Sequence, residues 1–105
     1  MSIEEQVRIL SSLTQIMHDS AGGKYDTMCC EFEYEEYDGG WSVGSKYSFV
    51  RGGANVIALL DDPEDSASYF VRELHELMKS HTKGVWKKFV LSIDPNGKAH
   101  TKFIY

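Results

Sequence analysis

Three short glycine-containing segments, Asp38-Gly39-Gly40, Arg51-Gly52-Gly53 and Asp94-Pro95-Asn96-Gly97, punctuate the chain between stretches rich in apolar and aromatic residues. Each is a tight-turn signal. Glycine supplies the positive φ that short hairpin turns require, and proline presets φ at the second position of the last turn. Such turns reverse the chain at once, so the flanking strands pair antiparallel; a parallel pair would need a long crossover.

The flanking stretches carry the matching pattern. From Thr27 to Tyr37, Cys30, Phe32 and Tyr34 take every second place and Glu31, Glu33 and Glu35 fill the gaps. Period two marks a strand with one face on a core and the other in solvent. Trp41 to Val50 returns with Trp41, Val43, Tyr47 and Phe49 on one face. Asn55 to Leu60 is nearly all apolar, which predicts a central or covered strand. Trp86 to Asp94, with Phe89, Leu91 and Ile93 alternating, and Ala99 to Tyr105 complete five strands.

Two segments switch to helical spacing. Ile3, Val7, Leu10, Leu13, Ile16 and Met17 recur at three- and four-residue steps, with Ser2 and Glu5 placed as a capping box and Ala21-Gly22-Gly23 as the stop. In the second, Asp62 stands at the N-cap and Pro63 at the first helical position. Ala67, Phe70, Val71, Leu74, Leu77 and Met78 form its stripe, and Lys79, His81, Lys83 and Gly84 suit its C-terminal end. The order α-β-β-β-α-β-β over residues 1–105 predicts one α+β domain, a five-stranded antiparallel sheet with both helices packed on one face. The other face is then wet, and Glu31, Glu33 and Glu35 stand on it.

Composition bounds the function. With 42% apolar and 26% charged residues the chain suits a folded globular domain. No apolar run reaches a membrane span, and Met1-Ser2-Ile3-Glu4-Glu5 lacks the basic start and apolar run of a signal peptide, so residence in the cytoplasm is expected. Net charge is −5, which argues against nucleic acid as a ligand. The charge is also lopsided. Residues 31–38 and 61–65 hold five and four of the 16 acids and no base, whereas Lys79, Lys83, Lys87, Lys88, Lys98 and Lys102 come late.

Catalytic constellations with a useful spacing are missing from the sequence. Gly39-Gly40 and Gly52-Gly53 precede strands rather than helices, so neither makes a phosphate cradle. Cys29 and Cys30 are adjacent and point to opposite faces of a strand, which disfavours a disulfide, and mid-strand cysteine is usually a small core residue. His18, His75, His81 and His100 are scattered, and solvated or capping histidines are expected. No catalytic residue, cofactor or metal site is assigned.

The carboxylates of the acidic strand have two readings. In one they are a solvated face paired with Lys46 on the neighbouring strand. In the other they dock a basic protein, with aromatic anchors nearby. The second makes Glu31, Glu33, Glu35, Tyr37, Asp38, Trp41 and Tyr47 candidate partner-binding residues, with Asp61 and Asp62 as a further charged rim.

The segment "YFVRELHELMKSHTKGVWKKFVLSIDPNGKAHTKFIY" resembles the C-terminal part of the YezG-like immunity proteins, small bacterial proteins that neutralise toxins delivered between competing cells. The likeness lies in the apolar-striped helix, Trp86, the Phe89-Val90-Leu91-Ser92-Ile93 strand, the Asp94–Lys98 turn, and Phe103 and Tyr105. It covers about the last 40 residues. It implies an inhibitor without catalytic residues that covers a toxin's active or substrate-entry surface. The acidic strand adds that the toxin is basic, as nuclease domains are. The expected partner is therefore a cognate toxin rather than nucleic acid or a membrane, with homodimerisation left open. A small-ligand or regulatory binding module is the competing class.

Overall fold

The computed structural model describes residues 3–60, 62, 65–82 and 85–105. The elements run α1 (Ile3–Ala21), β1 (Thr27–Tyr37), β2 (Gly40–Arg51), β3 (Ala54–Ala58), α2 (Ser66–Thr82), β4 (Lys88–Ile93) and β5 (Ala99–Ile104). The expected helix signals at Ser2, Pro63 and Lys83-Gly84, the acids Asp61 and Glu64, and the side chains of Ile3 and His81 lie outside the described residues.

The strands form one antiparallel sheet in the order β3-β2-β1-β4-β5. Its turns use the predicted glycines. Gly52 and Gly53, at φ 58° and 80°, form the two-residue loop between the Arg51–Ala54 pair. A side chain would be strained at both places. Met28, Cys30, Phe32 and Tyr34 of β1 are buried on one face, beside Tyr47 and Phe49 of β2 and Phe89, Leu91 and Ile93 of β4. Phe32 sits directly opposite Phe89, the rings stacked at 5.2 Å. Both helices cover this face: Ile9, Leu13 and Met17 of α1 and Val71 and Leu74 of α2 are fully buried in the same cluster. The helices are also joined at the surface by an Arg8–Glu73 ion pair.

β2 pins the end of α1. The buried Tyr47 hydroxyl donates to the Met17 carbonyl at 2.7 Å, and Arg51 Nη2 donates to the Ala21 carbonyl at 2.6 Å. The Ala21 carbonyl is among the last four of the helix, which have no partner within it, and Tyr47 adds a second bond to the Met17 carbonyl one turn earlier. Gly22, at φ 68°, then turns the chain out. Trp86 closes the opposite end. It is 1% exposed, its ring lies 5.1 Å from Phe89 and 5.7 Å from Phe103, and its Nε1 donates to the Met78 sulfur.

Three expectations need correction. β3 is an edge strand, not a central or covered one, and Ile57 and Leu59 are 82% and 93% exposed. A short strand apolar on both faces reads as covered, yet among the described residues no sixth strand covers it. The buried line of α1 runs through Ile9, Leu13, Met17 and Ala21, and Val7 is 54% exposed. The helix turns toward the angle between sheet and α2, a choice that periodicity alone leaves free. α2 begins at Ser66, after Asp65 instead of before it, because Asp65 takes a left-handed φ of 54° that helix cannot continue through. Asp62 caps from further back, its two carboxylate oxygens accepting from the Ser66 and Ala67 amides at 2.9 and 2.8 Å.

Two outcomes follow from this packing. Leu74→Ala removes a fully buried side chain from beneath the sheet and should lower the unfolding free energy by about 2–5 kcal/mol in denaturant titrations. In the β4–β5 turn, Asp94 accepts from His100 Nε2 at 2.8 Å and from the Asn96 and Lys98 amides at 2.9 Å each. The His100 bond first, then the Lys98 amide, hold the Asp94 carboxyl below its ordinary value of 3.8. A carboxyl with a depressed folded pKa stabilises the fold above its unfolded pKa and loses that contribution as pH falls through the folded one. Asp94→Asn should therefore reduce the melting temperature at pH 7. It should also flatten the loss of stability below about pH 4 that the wild type shows in melts across the acid range.

Candidate functional site

The uncovered face of the sheet is built by the other half of the alternation. Glu31, Glu33 and Glu35 stand in file on β1, and their cross-strand neighbours on β2 are Lys46, Gly44 and Ser42. On β4, Lys88 lies opposite Glu33 and Val90 opposite Glu31. Lys46 and Lys88 both reach Glu31, at 3.8 Å and 3.6 Å. Glu31 is thus braced from both sides, as the solvated-face reading expects of Lys46. Such exposed pairs contribute little, about 0–1 kcal/mol each. Among the described residues, no cation lies within ion-pairing distance of Glu33, Glu35 or Asp38.

The open margin of the sheet explains the difference. β1 pairs with β2 along its whole length to Tyr37, but its pairing with β4 stops at Glu33–Lys88. One further bond, from the Tyr34 amide to the Lys87 carbonyl at 2.9 Å, ends that contact. Beyond it the β1–β2 hairpin projects alone. A cleft of about 470 Å³ opens beside it, lined by Glu33, Tyr34, Glu35, Glu36, Lys87 and Lys88. Carboxylates of both sheet faces meet at this margin, Glu33 and Glu35 from the uncovered face and Glu36 from the helix side.

The predicted aromatic anchors are divided between the faces. Tyr37 is 58% exposed, its hydroxyl donating to the Trp41 carbonyl at 3.4 Å. Its ring packs over Gly40, where a Cβ would stand 3.3 Å from it. Tyr47 is 2% exposed and belongs to the core, so it cannot be a contact residue; burial pushes its hydroxyl pKa up to about 12. Trp41 is half-buried on the helix side, facing away from Glu31, Glu33 and Glu35. Its ring lies 5.6 Å from Tyr69, 6.3 Å from Tyr34 and 4.9 Å below the Arg72 guanidinium. Both corrections have one cause. Odd-numbered residues of β2 face the helices, and those of β1 face solvent, because antiparallel register pairs Tyr34 with Val43. Asp62 is occupied as the cap of α2, and Asp61 lies outside the described residues.

Sequence reasoning missed His75 and Glu36. His75, expected to be solvated or capping, is 3% exposed. Its ring is held 4.3 Å from Tyr34 and 4.8 Å from Trp86. Burial lowers its pKa, against the opposing pull of Glu36 and Glu76. The signal was present in the stripe: Val71, Leu74, His75 and Met78 follow i, i+3, i+4, i+7. The cysteines are free thiols on opposite faces. Burial and then Cys29 push Cys30 up to about 12, and burial and then Glu31 raise Cys29, so neither is poised as a nucleophile.

Trp41 therefore supports the hairpin from beneath. Trp41→Ala should destabilise the free protein by roughly 1–3 kcal/mol, below the cost of emptying a fully buried site. Chemical denaturation of the isolated protein measures it, and an unchanged midpoint would detach Trp41 from the core.

No protein-family model matches the chain. Over 78 residues it is 37% identical to a Stenotrophomonas maltophilia protein named "Chorionicgonadotropic hormone-like protein". The match takes in 72% of this chain and 18% of that protein, so the chain spans less than a fifth of its relative's length.

Proposed function

We propose that this protein is a binding inhibitor of the YezG-like immunity type, and that it docks a basic toxin domain, of the nuclease class, on the projecting β1–β2 hairpin. The observation that carries the reading is the set of solvent-facing carboxylates Glu33, Glu35 and Asp38, which no described cation neutralises, grouped with the exposed Tyr37. Glu31 contributes less, since Lys46 and Lys88 already brace it. An acidic, aromatic projection complements the basic cleft that a nuclease needs for phosphates. Opposite charge raises encounter rates by orders of magnitude over a neutral pair, which suits an inhibitor that must act before its target does. The bacterial source of the Stenotrophomonas relative agrees with a bacterial family.

A small-ligand or regulatory module is the second reading, and one observation favours it. A groove of about 400 Å³ runs between α1 and the last hairpin, lined in part by the half-exposed Val7 and by Leu10, Leu91 and Thr101.

The test begins with the product of the reading frame immediately upstream, where a toxin gene is expected. Its expression should arrest growth, and co-expression of this chain should restore it. With the purified pair, Glu33→Gln/Glu35→Gln should slow association about tenfold or more at low salt and flatten its salt dependence, with little change in melting temperature. Unaltered association would remove the hairpin as the docking surface. An upstream product that is harmless would remove the toxin reading and leave the groove as the site to probe.

A further inference from the structure

Three acceptor atoms converge where the β1–β2 hairpin meets α2. Glu36, His75 and Glu76 each offer one ligand atom, and these lie within 4.8 Å of one another. The His75 Nδ1 is buried and has no hydrogen-bond partner. Its distance to the Glu36 Oε1 is 3.9 Å, too long for a hydrogen bond. Nδ1 is thus a buried nitrogen without a partner, in a ring held between Tyr34 and Trp86. In the neutral ring with its proton on Nε2, Nδ1 keeps a lone pair available to a cation. Buried polar atoms are rarely left so.

We propose that Glu36, His75 and Glu76 form a site for one divalent transition-metal cation of the zinc class. Tetrahedral bonds of about 2.0–2.2 Å to imidazole nitrogen and carboxylate oxygen set those atoms about 3.4 Å apart, so the 3.9 Å gap needs only a small inward shift of Glu36. Both glutamates are exposed and free to rotate inward over the remaining distance. The imidazole is not free: its ring is fixed between those of Tyr34 and Trp86. Two carboxylates balance the cation's charge, and the nitrogen donor favours a transition metal over magnesium or calcium. Three protein ligands leave a position open, and the cleft that Glu36 shares with Glu33 and Lys87 gives solvent access to it. The bound ion would tie the projecting hairpin to α2. This site is independent of the toxin reading.

Isothermal titration of the full chain with zinc chloride, followed by melting curves, tests the site. Binding of one ion per chain is expected at micromolar affinity or better, with a melting temperature that rises with zinc concentration and not with magnesium. His75→Ala opens the core, so the exposed ligands carry the test: Glu36→Gln and Glu76→Gln should each weaken binding about tenfold or more while leaving the zinc-free protein folded. His100→Ala, which removes an exposed histidine paired with Asp94, should bind zinc as the wild type does. Absence of saturable binding at 100-fold excess of zinc would overturn the proposal. So would binding that survives both glutamine substitutions, or that is lost in His100→Ala.

Discussion

Burial of Met28, Cys30, Phe32 and Tyr34 beneath two helices is the constraint on which the rest of this structure depends. β1 lies at the centre of the sheet, so these side chains are packed from above by α1 and α2 and flanked by β2 and β4. Fully burying one such side chain contributes on the order of 1.5–3 kcal/mol. Against that, repulsion among carboxylates on the far face is a small term. The register is thereby fixed, since a slip of one residue would exchange Phe32 for Glu31 or Glu33. The outward file of acids is a consequence of that packing before it is anything else.

What turns the file into a surface with distinct parts is the unequal length of the strands. Where β4 runs beside β1, Lys88 is at hand and Glu31 is braced. Where β4 has ended, the hairpin carries its acids without partners from the described lysines. The same shortfall brings Trp86 inward instead of along the sheet, and its ring then walls in His75. The open acidic margin and the buried histidine are two results of one chain departure, at Lys87.

The hairpins, the helix periods and the single-faced covering of the sheet were legible in the sequence, because each follows from interactions between near neighbours. Gly52 and Gly53 announce a turn that L side chains resist, and the alternation of β1 announces its own two faces. The parity of β2 was legible too, with Trp41 and Tyr47 on a common face. Which face that was relative to the acids was not. It depends on the register Tyr34–Val43, a relation between strands that neither strand states. Glu31 and Lys46 come into a pair through the same register. His75 is the converse case. Its place in the α2 stripe was readable, but a polar residue in an apolar line is easily set aside until its neighbours are known.

The sequence by itself determined the order of elements, the antiparallel connections and a strand with carboxylates on one side, all of which are local steric and solvation requirements. Only the tertiary structure decided that β3 is an edge, that α1 turns Ile9 rather than Val7 inward, that β1 outruns β4, and that Glu36 meets His75 and Glu76. These are outcomes of competition among surfaces for a limited core. Two helices cover the centre of a five-stranded sheet more completely than its margins, and which residues fall at the margin is settled only when every element has been placed.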